Sequence, residues 1–393
     1  MNFDLSIPTL KNKLLFSILG VLSYGFCIGQ SPKLGIEHTQ RYFPLLAGKK
    51  VGLVVHQASR FEHSAEKTHL VDSLLQSGVD LHIIFAPEHG FKGTADAGEY
   101  IQDGRYKSIP IVSLYGKNKK PQPEQLDQLD LMIFDLQDVG TRFYTYLSTL
   151  HYIMEACANA EIPLIILDRP NPNGHYVDGP VLDMQHQSFV GMHPIPVVHG
   201  LTLGEMAQMI IGEEWISTVH PLELIVVPVE NYSHQTAYAL PIPPSPNLPN
   251  AQAVALYPSL CLLEPTAISV GRGTSMQFQI FGHPDLPKTD FTFTPHPNIG
   301  AKHPKLNGQK CFGWDLRATV APSKIELQWL LTAYQQYPDK EGFFRKGFDR
   351  IAGTSTLRKA LSSGKTEQEI RVLWEVQLSA YKQARKKYLM YPD

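Results

Sequence analysis

A chain of 393 residues is long enough for two ordinary domains, or for one large α/β unit with an appendage. With 43% hydrophobic and 18% charged residues it can build a real core, and a formal charge of -2 supplies neither the basic footprint of a nucleic-acid binder nor an acidic tail. Small or neutral partners remain, and 30 Pro and 29 Gly imply many stiff or tightly turned loops, where enzymes usually place their chemistry.

The first segment reads as an export signal. Lys11 and Lys13 precede an apolar run from Leu14 to Ile28, interrupted by Ser and Gly, that is too short for a comfortable membrane span but suits a signal-peptide core. Cleavage is expected before Gln30, so residues 1–29 are the signal and the exported, periplasmic chain keeps no stable membrane span. A lipoprotein acylated at Cys27 is disfavoured by Phe26 before it, and an uncleaved anchor is the other alternative. Cys157, Cys261 and Cys311 then remain, an odd number in no metal-like spacing, and read as buried small hydrophobes.

From Lys49 onward, short apolar runs alternate with helical patterns, the signature of βαβ units. The runs are 51–55, 81–85, 109–114, 131–134, 164–167 and 224–229, with helices expected near 65–76, 123–128, 146–160 and 203–211. Thr202 and Glu205 form a capping box for the last of these. A Rossmann-like, mostly parallel sheet with helices on both faces is predicted, although no GxGxxG or P-loop follows the first strand, so no nucleotide or other cofactor is implied. The proline-rich 241–250 is the natural boundary between a catalytic domain, 30–240, and a smaller C-terminal α+β domain, 251–393, with a strand near 278–281 and helices near 324–334 and 366–388.

In an open parallel sheet the loops after the strands meet at one edge, where ligands bind. Here they deliver Pro87-Glu88-His89-Gly90, Asp135-Leu136-Gln137-Asp138 and Asp168-Arg169-Pro170-Asn171. Glu88, at a stiffened strand exit, is the first candidate for a catalytic carboxyl group. Asp138 is the second, freer than Asp135, which ends its strand. Arg142, Tyr144 and Tyr146 offer a cation and an aromatic wall suited to a sugar ring, and Asp168–Arg169 reads as an internal ion pair shaping the rim. Glu264 and the glycine-flanked Arg272 lie beyond the boundary. Sixteen His, among them His56, His89, His193 and His199, raise a metal question, but no HExxH or other tight ligand pair occurs.

Several long motifs carry a resemblance: Phe85-Ala86-Pro87-Glu88-His89-Gly90-Phe91-Lys92-Gly93, Ser113-Leu114-Tyr115-Gly116, the run from Phe134 to Tyr146, and Leu167-Asp168-Arg169-Pro170-Asn171-Pro172. Pro244-Ser245-Pro246-Asn247-Leu248-Pro249, Leu263-Glu264-Pro265-Thr266 and Gly271-Arg272-Gly273-Thr274 continue it. In this order they resemble the NamZ-type exo-β-N-acetylmuramidases, also known as YbbC-type proteins and formerly a domain of unknown function. The resemblance implies a cleft between two domains and release of N-acetylmuramic acid from the non-reducing end of peptidoglycan-derived muropeptides or disaccharides. It implies Glu88 as catalytic acid or base, paired with Asp138 or Glu264, with His89, Asp135, Asn171 and Asn247 among the binding residues. The chain departs from the pattern at His56-Gln57-Ala58-Ser59 and at Pro265 and Ala267, both near the expected cleft. A muramic substrate carries a lactyl carboxylate, for which Arg142 is the favoured cation and Arg272 the next. A metal-dependent hydrolase and a non-catalytic cell-wall sugar-binding protein remain alternatives.

Overall fold

The six apolar runs all form strands in the structure, a computed structural model that describes residues 31–393 except positions 65, 97, 100, 101 and 117. The expected signal segment and Cys27 lie outside the described residues. In chain order the strands are β1 (Lys50–Val55), β2 (Asp80–Ala86), β3 (Gly104–Tyr106), β4 (Ile109–Ser113), β5 (Leu131–Asp135), β6 (Leu164–Leu167) and β7 (Leu224–Val227). They form one sheet in the order β3-β4-β2-β1-β5-β6-β7, parallel throughout except for β3, which pairs antiparallel with β4 at the edge. The three residues of β3 are too few and too exposed to give a sequence signal.

Alternation along each strand divides the core between the two faces of the sheet. Met132, Phe134, Leu164 and Ile166 join one cluster, with Leu150 and Ile153 of the helix Tyr146–Asn159 and Met206 and Ile210 of the helix Leu203–Gly212. Leu131, Ile133, Ile165 and Leu167 join the other, with Leu70, Val71 and Leu74 of the helix Leu70–Gln76. That helix starts five residues later than the pattern predicts, because His69 caps it by accepting the Val71 N–H at 3.2 Å.

Residues 32–393 form one compact unit, and the first cluster continues into the C-terminal helices through Leu330, Leu357, Ile370 and Leu378. A second, antiparallel sheet is built from β8 (Ile280–His283), β9 (Thr292–Phe293) and β10 (Cys311–Asp315) in the order β8-β10-β9. Its first strand begins two residues later than expected because Phe278 takes a left-handed φ of 52°. The helix expected over 366–388 is two, Glu367–Val372 and Glu375–Arg385, broken at the buried Trp374.

Directly after the proline-rich stretch comes a helix the sequence pattern hides, Ala251–Leu260, capped by Asn250. Pro258 lies inside it and cannot donate to the Val254 carbonyl one turn back. Asn173 Nδ2 reaches that carbonyl at 3.2 Å and so satisfies the group the proline orphans.

Candidate active site

Glu88 projects where β2 ends and the chain reverses through two successive left-handed residues, His89 (φ 69°) and Gly90 (φ 75°). A left-handed conformation costs a non-glycine residue about 1–3 kcal/mol and persists only where its surroundings hold it. Here the His89 ring helps by bonding the Ala95 carbonyl through Nδ1 at 2.8 Å. Burial lowers the His89 pKa in spite of the adjacent Glu88, so the imidazole is neutral at pH 7.

The Glu88 carboxyl group is fixed from several sides. Oε2 accepts from Thr145 Oγ1 at 2.6 Å, Oε1 accepts from the Gly98 N–H at 3.0 Å, and the Tyr115 hydroxyl lies nearby on the same wall. Thr145 occupies the N-cap position of the helix Tyr146–Asn159 yet makes no capping bond. Its hydroxyl is given to Glu88 instead, giving up about 1 kcal/mol of helix capping. A hydroxyl can donate to a carboxylate and accept from a carboxylic acid, so this contact survives either protonation state.

Glu88 opens onto a cavity of about 270 Å³. His89, Tyr144, Asn247, Glu264 and Arg272, all expected at the site, share its wall with Tyr115, Lys119, Thr145, Phe189 and Tyr257. A more open trough of about 500 Å³, bordered by Gly98, Glu99, Lys302 and His303, shares Glu264 and Arg272 with it. Because Gly98 binds Glu88 and also borders the trough, Glu88 stands near the junction of the two spaces.

Glu264 and Arg272 form the opposite charge pair, with both Arg272 Nε and Nη2 at 2.7 Å from Glu264 Oε2. Oε1 is left without a protein partner among the described residues. Burial alone would raise the Glu264 pKa, but Arg272 and Lys305 hold it below the usual carboxylate range. The Lys305 ammonium sits on the carbonyls of Glu264, Thr266 and Ile268 at 2.7–2.9 Å, and burial lowers its pKa to about 8. Asn247 donates to the Gly300 carbonyl at 2.7 Å, while its buried Oδ1 has no partner.

Seven other residues expected at the site stand behind this wall. Asp135 and Arg169 form a buried ion pair, with contacts of 2.5 and 3.0 Å. Arg169 therefore does not pair with Asp168, as the sequence led one to expect. The Asp168 carboxylate accepts from Thr202 Oγ1, the Gly204 N–H and Tyr391 Oη, at the N-terminus of the helix Leu203–Gly212, where unpaired N–H groups favour a carboxylate. Asp138 accepts from the Gly140 N–H at 2.6 Å and lies 4.0 Å from His199 Nε2, away from the cavity lining. Asn171 packs against Gly140 and donates to the Leu201 carbonyl. Tyr146 buttresses Glu88 from behind, its hydroxyl 3.3 Å from the Glu88 carbonyl.

Arg142, the favoured cation for a substrate carboxylate, is only 1% exposed. Its guanidinium donates to the carbonyls of Pro180, Ile195 and Ile351, and a side chain occupied by three carbonyls cannot also reach into the cavity. His56 and Gln57, at the departure from the family pattern, are structural as well. His56 Nε2 accepts the Gln137 N–H, and Gln57 Nε2 grips the carbonyls of Pro243 and Pro244, on the segment that also receives the Tyr144 hydroxyl. Among the described residues no group of three or more His, Cys, Asp and Glu is placed to hold a metal ion.

The sequence reading held Tyr115 and Thr145 only within longer motifs, without a role at the site, and missed Lys119 and Phe189. Tyr115 stands at a strand exit and Thr145 at a helix N-cap, both legible positions. Phe189 sits in an irregular loop with no such signal.

Comparison with known proteins points the same way. Residues 51–252 match the family described as exo-beta-N-acetylmuramidase NamZ, N-terminal, and residues 255–391 match its C-terminal counterpart. A peptidoglycan beta-N-acetylmuramidase NamZ of Bacillus subtilis is 35% identical over 384 residues, covering 89% of each chain. Two crystal structures of DUF1343 family proteins from Bacteroides fragilis each cover 92% of this chain and 99% of their own. One is 41% identical with a TM-score of 0.84, the other 27% identical with a TM-score of 0.77.

Proposed function

The chain belongs to the NamZ exo-β-N-acetylmuramidase family, glycoside hydrolases of peptidoglycan, and on that premise we propose that Glu88 is the group that exchanges a proton with the glycosidic oxygen as N-acetylmuramic acid is released. The observation that carries this is the placing of its carboxyl group near the junction of a sugar-sized cavity and a larger, more open trough. An exo-acting enzyme suits that layout: the terminal sugar enters the smaller space, the rest of the fragment extends along the wider one, and the scissile bond lies between.

Cleaving a glycosidic bond requires a proton at the leaving oxygen and negative charge near the oxocarbenium-like centre. Glu88 supplies the proton, with Thr145 able to reverse its hydrogen bond as the carboxyl group changes state. Glu264, kept ionised by Arg272 and Lys305, supplies the negative charge across the same cavity. The Tyr144 and Tyr257 rings offer faces to the sugar.

Glu88→Gln preserves the shape of the side chain and removes its proton. Turnover of a chromogenic β-N-acetylmuraminide should fall by about 10²–10⁴-fold in a protein that melts like the wild type. A loss of only a few-fold would take Glu88 out of the mechanism, and a merely sugar-binding protein would show no turnover to lose. The same reading places the enzyme outside the cytoplasm, in the periplasm, exported by residues 1–29 and starting at Gln30.

A further inference from the structure

Among the described residues, four cations stand in or close behind the wall of this cavity, and three of them are already engaged. Arg272 is paired with Glu264, while Arg142 and Lys305 each sit on three backbone carbonyls. The fourth is Lys119, half-buried on the loop after β4 and part of the cavity lining. Its ammonium lies 4.5 Å from the centroid of the Phe189 ring. Among the described residues no carboxylate pairs with it, whereas its neighbour Lys120 is bonded to Glu155 at 3.1 Å.

Lys119 stands at the far end of a continuous wall. The Tyr115 hydroxyl lies near Glu88 in the same lining, the Tyr115 ring lies 6.1 Å from that of Phe189, and Phe189 carries the Lys119 ammonium on its face. Phe189 is itself held by stacking on Tyr152. In a β-muraminide the scissile oxygen is on C1, and the lactyl ether that bears the carboxylate is on C3, two ring atoms away. A sugar with its C1 oxygen at Glu88 and its ring along Tyr115 directs the lactyl arm away from Glu88, toward Phe189.

We propose that Lys119, seated on the face of Phe189, is the subsite for the lactyl carboxylate of the bound sugar and sets the enzyme's preference for N-acetylmuramic acid over N-acetylglucosamine. Phe189 has a second part in this: its ring offers an apolar surface to the lactyl methyl group. An ammonium held on an aromatic face is partly stripped of water yet keeps its charge, so an arriving carboxylate gains more from it than from a fully hydrated lysine. The proposal rests on Glu88 marking the scissile bond, and it replaces the arginine expected from sequence by the one cation of the four with no protein partner for its charge.

The test compares 4-nitrophenyl β-N-acetylmuraminide with its lactamide, which has the same shape and no charge. Wild-type enzyme should favour the carboxylate by about 10–100-fold in kcat/KM. Lys119→Met should erase that preference, chiefly through KM, and leave turnover of the lactamide within a few-fold, while Lys119→Arg should restore most of it. Equal losses on both substrates, or an unchanged preference in Lys119→Met, overturn the proposal. So does a wild-type enzyme indifferent to the charge, a result that needs no variant to fold. A wild-type enzyme that cleaves neither substrate refutes the muramidase reading itself and the proposal with it, whereas a cleaving enzyme with no preference refutes the subsite alone.

Discussion

Asp138 looked from sequence like a possible second catalytic group, and its surroundings now predict something different and measurable. Burial pushes its carboxyl group from 3.8 up to about 7, against the opposing pull of the Gly140 and Val139 N–H groups. Its neighbour His199 is driven down to about 3 by burial and by Arg385 and His234, so neutral forms are favoured on both sides of the 4.0 Å gap. A folded-state pKa above the unfolded one means that the folded chain keeps the proton longer. The stability this contributes is complete below pH 4 and is lost as pH rises through 7. At about 1.4 kcal/mol per pH unit, the three-unit interval amounts to about 4 kcal/mol, of which about 3 kcal/mol falls between pH 5 and pH 8. Asp138→Asn keeps an acceptor for the Gly140 N–H and cannot ionise. In denaturant titrations at the two pH values the variant should gain about 3 kcal/mol on the wild type between pH 5 and pH 8. Asp168, raised to about 6 by burial, is present in both proteins and cancels. Since Asp138 does not line the cavity, turnover should stay within a few-fold. An unchanged pH dependence, or a hundredfold loss of kcat in a folded variant, would refute the reasoning.

Removing Arg272 should release Glu264 to the effect of its own burial, so its pKa rises and the carboxylate is lost nearer neutrality. In Arg272→Ala the acid limb of kcat/KM should therefore move to higher pH, with activity suffering more at pH 5 than at pH 8, and an unmoved limb would show that Glu264 charge is not needed. Export can be checked by mass spectrometry of the protein from its own cells: a chain beginning at Gln30 in the periplasmic fraction is expected, and a cytoplasmic chain retaining Met1–Ile28 refutes it.

The large sheet was legible because each of its buried parallel strands is a short apolar run between turn residues, a pattern that depends on little beyond the run itself. What escaped notice depends on partners distant in sequence. The helix Ala251–Leu260 tolerates Pro258 only because Asn173, 81 residues upstream of Val254, supplies the missing hydrogen bond. No local pattern reports that. The left-handed turn at Phe278 and the break at Trp374 are likewise set by what those side chains pack against.

The site was legible by position rather than by role. Strand exits do collect the ionisable residues, but an edge crowded with charge must also hold itself together, and much of that charge is spent on doing so. Asp135 with Arg169, Asp168 on a helix terminus, and Arg142 on three carbonyls are fully buried, and burying a charge is tolerable only when its bonds are satisfied. Their partners lie from 34 to 223 residues away, so the sequence alone cannot separate them from Glu88. The distinguishing mark is an unfinished set of contacts facing open space. Glu264 and Lys119 both line the cavity, and Glu264 Oε1 and the Lys119 ammonium have bonding capacity that the described protein leaves unused. Because unused polar capacity is costly in a folded chain unless a ligand or water takes it up, these two groups, rather than the density of charge at the sheet edge, indicate where a sugar is to be bound.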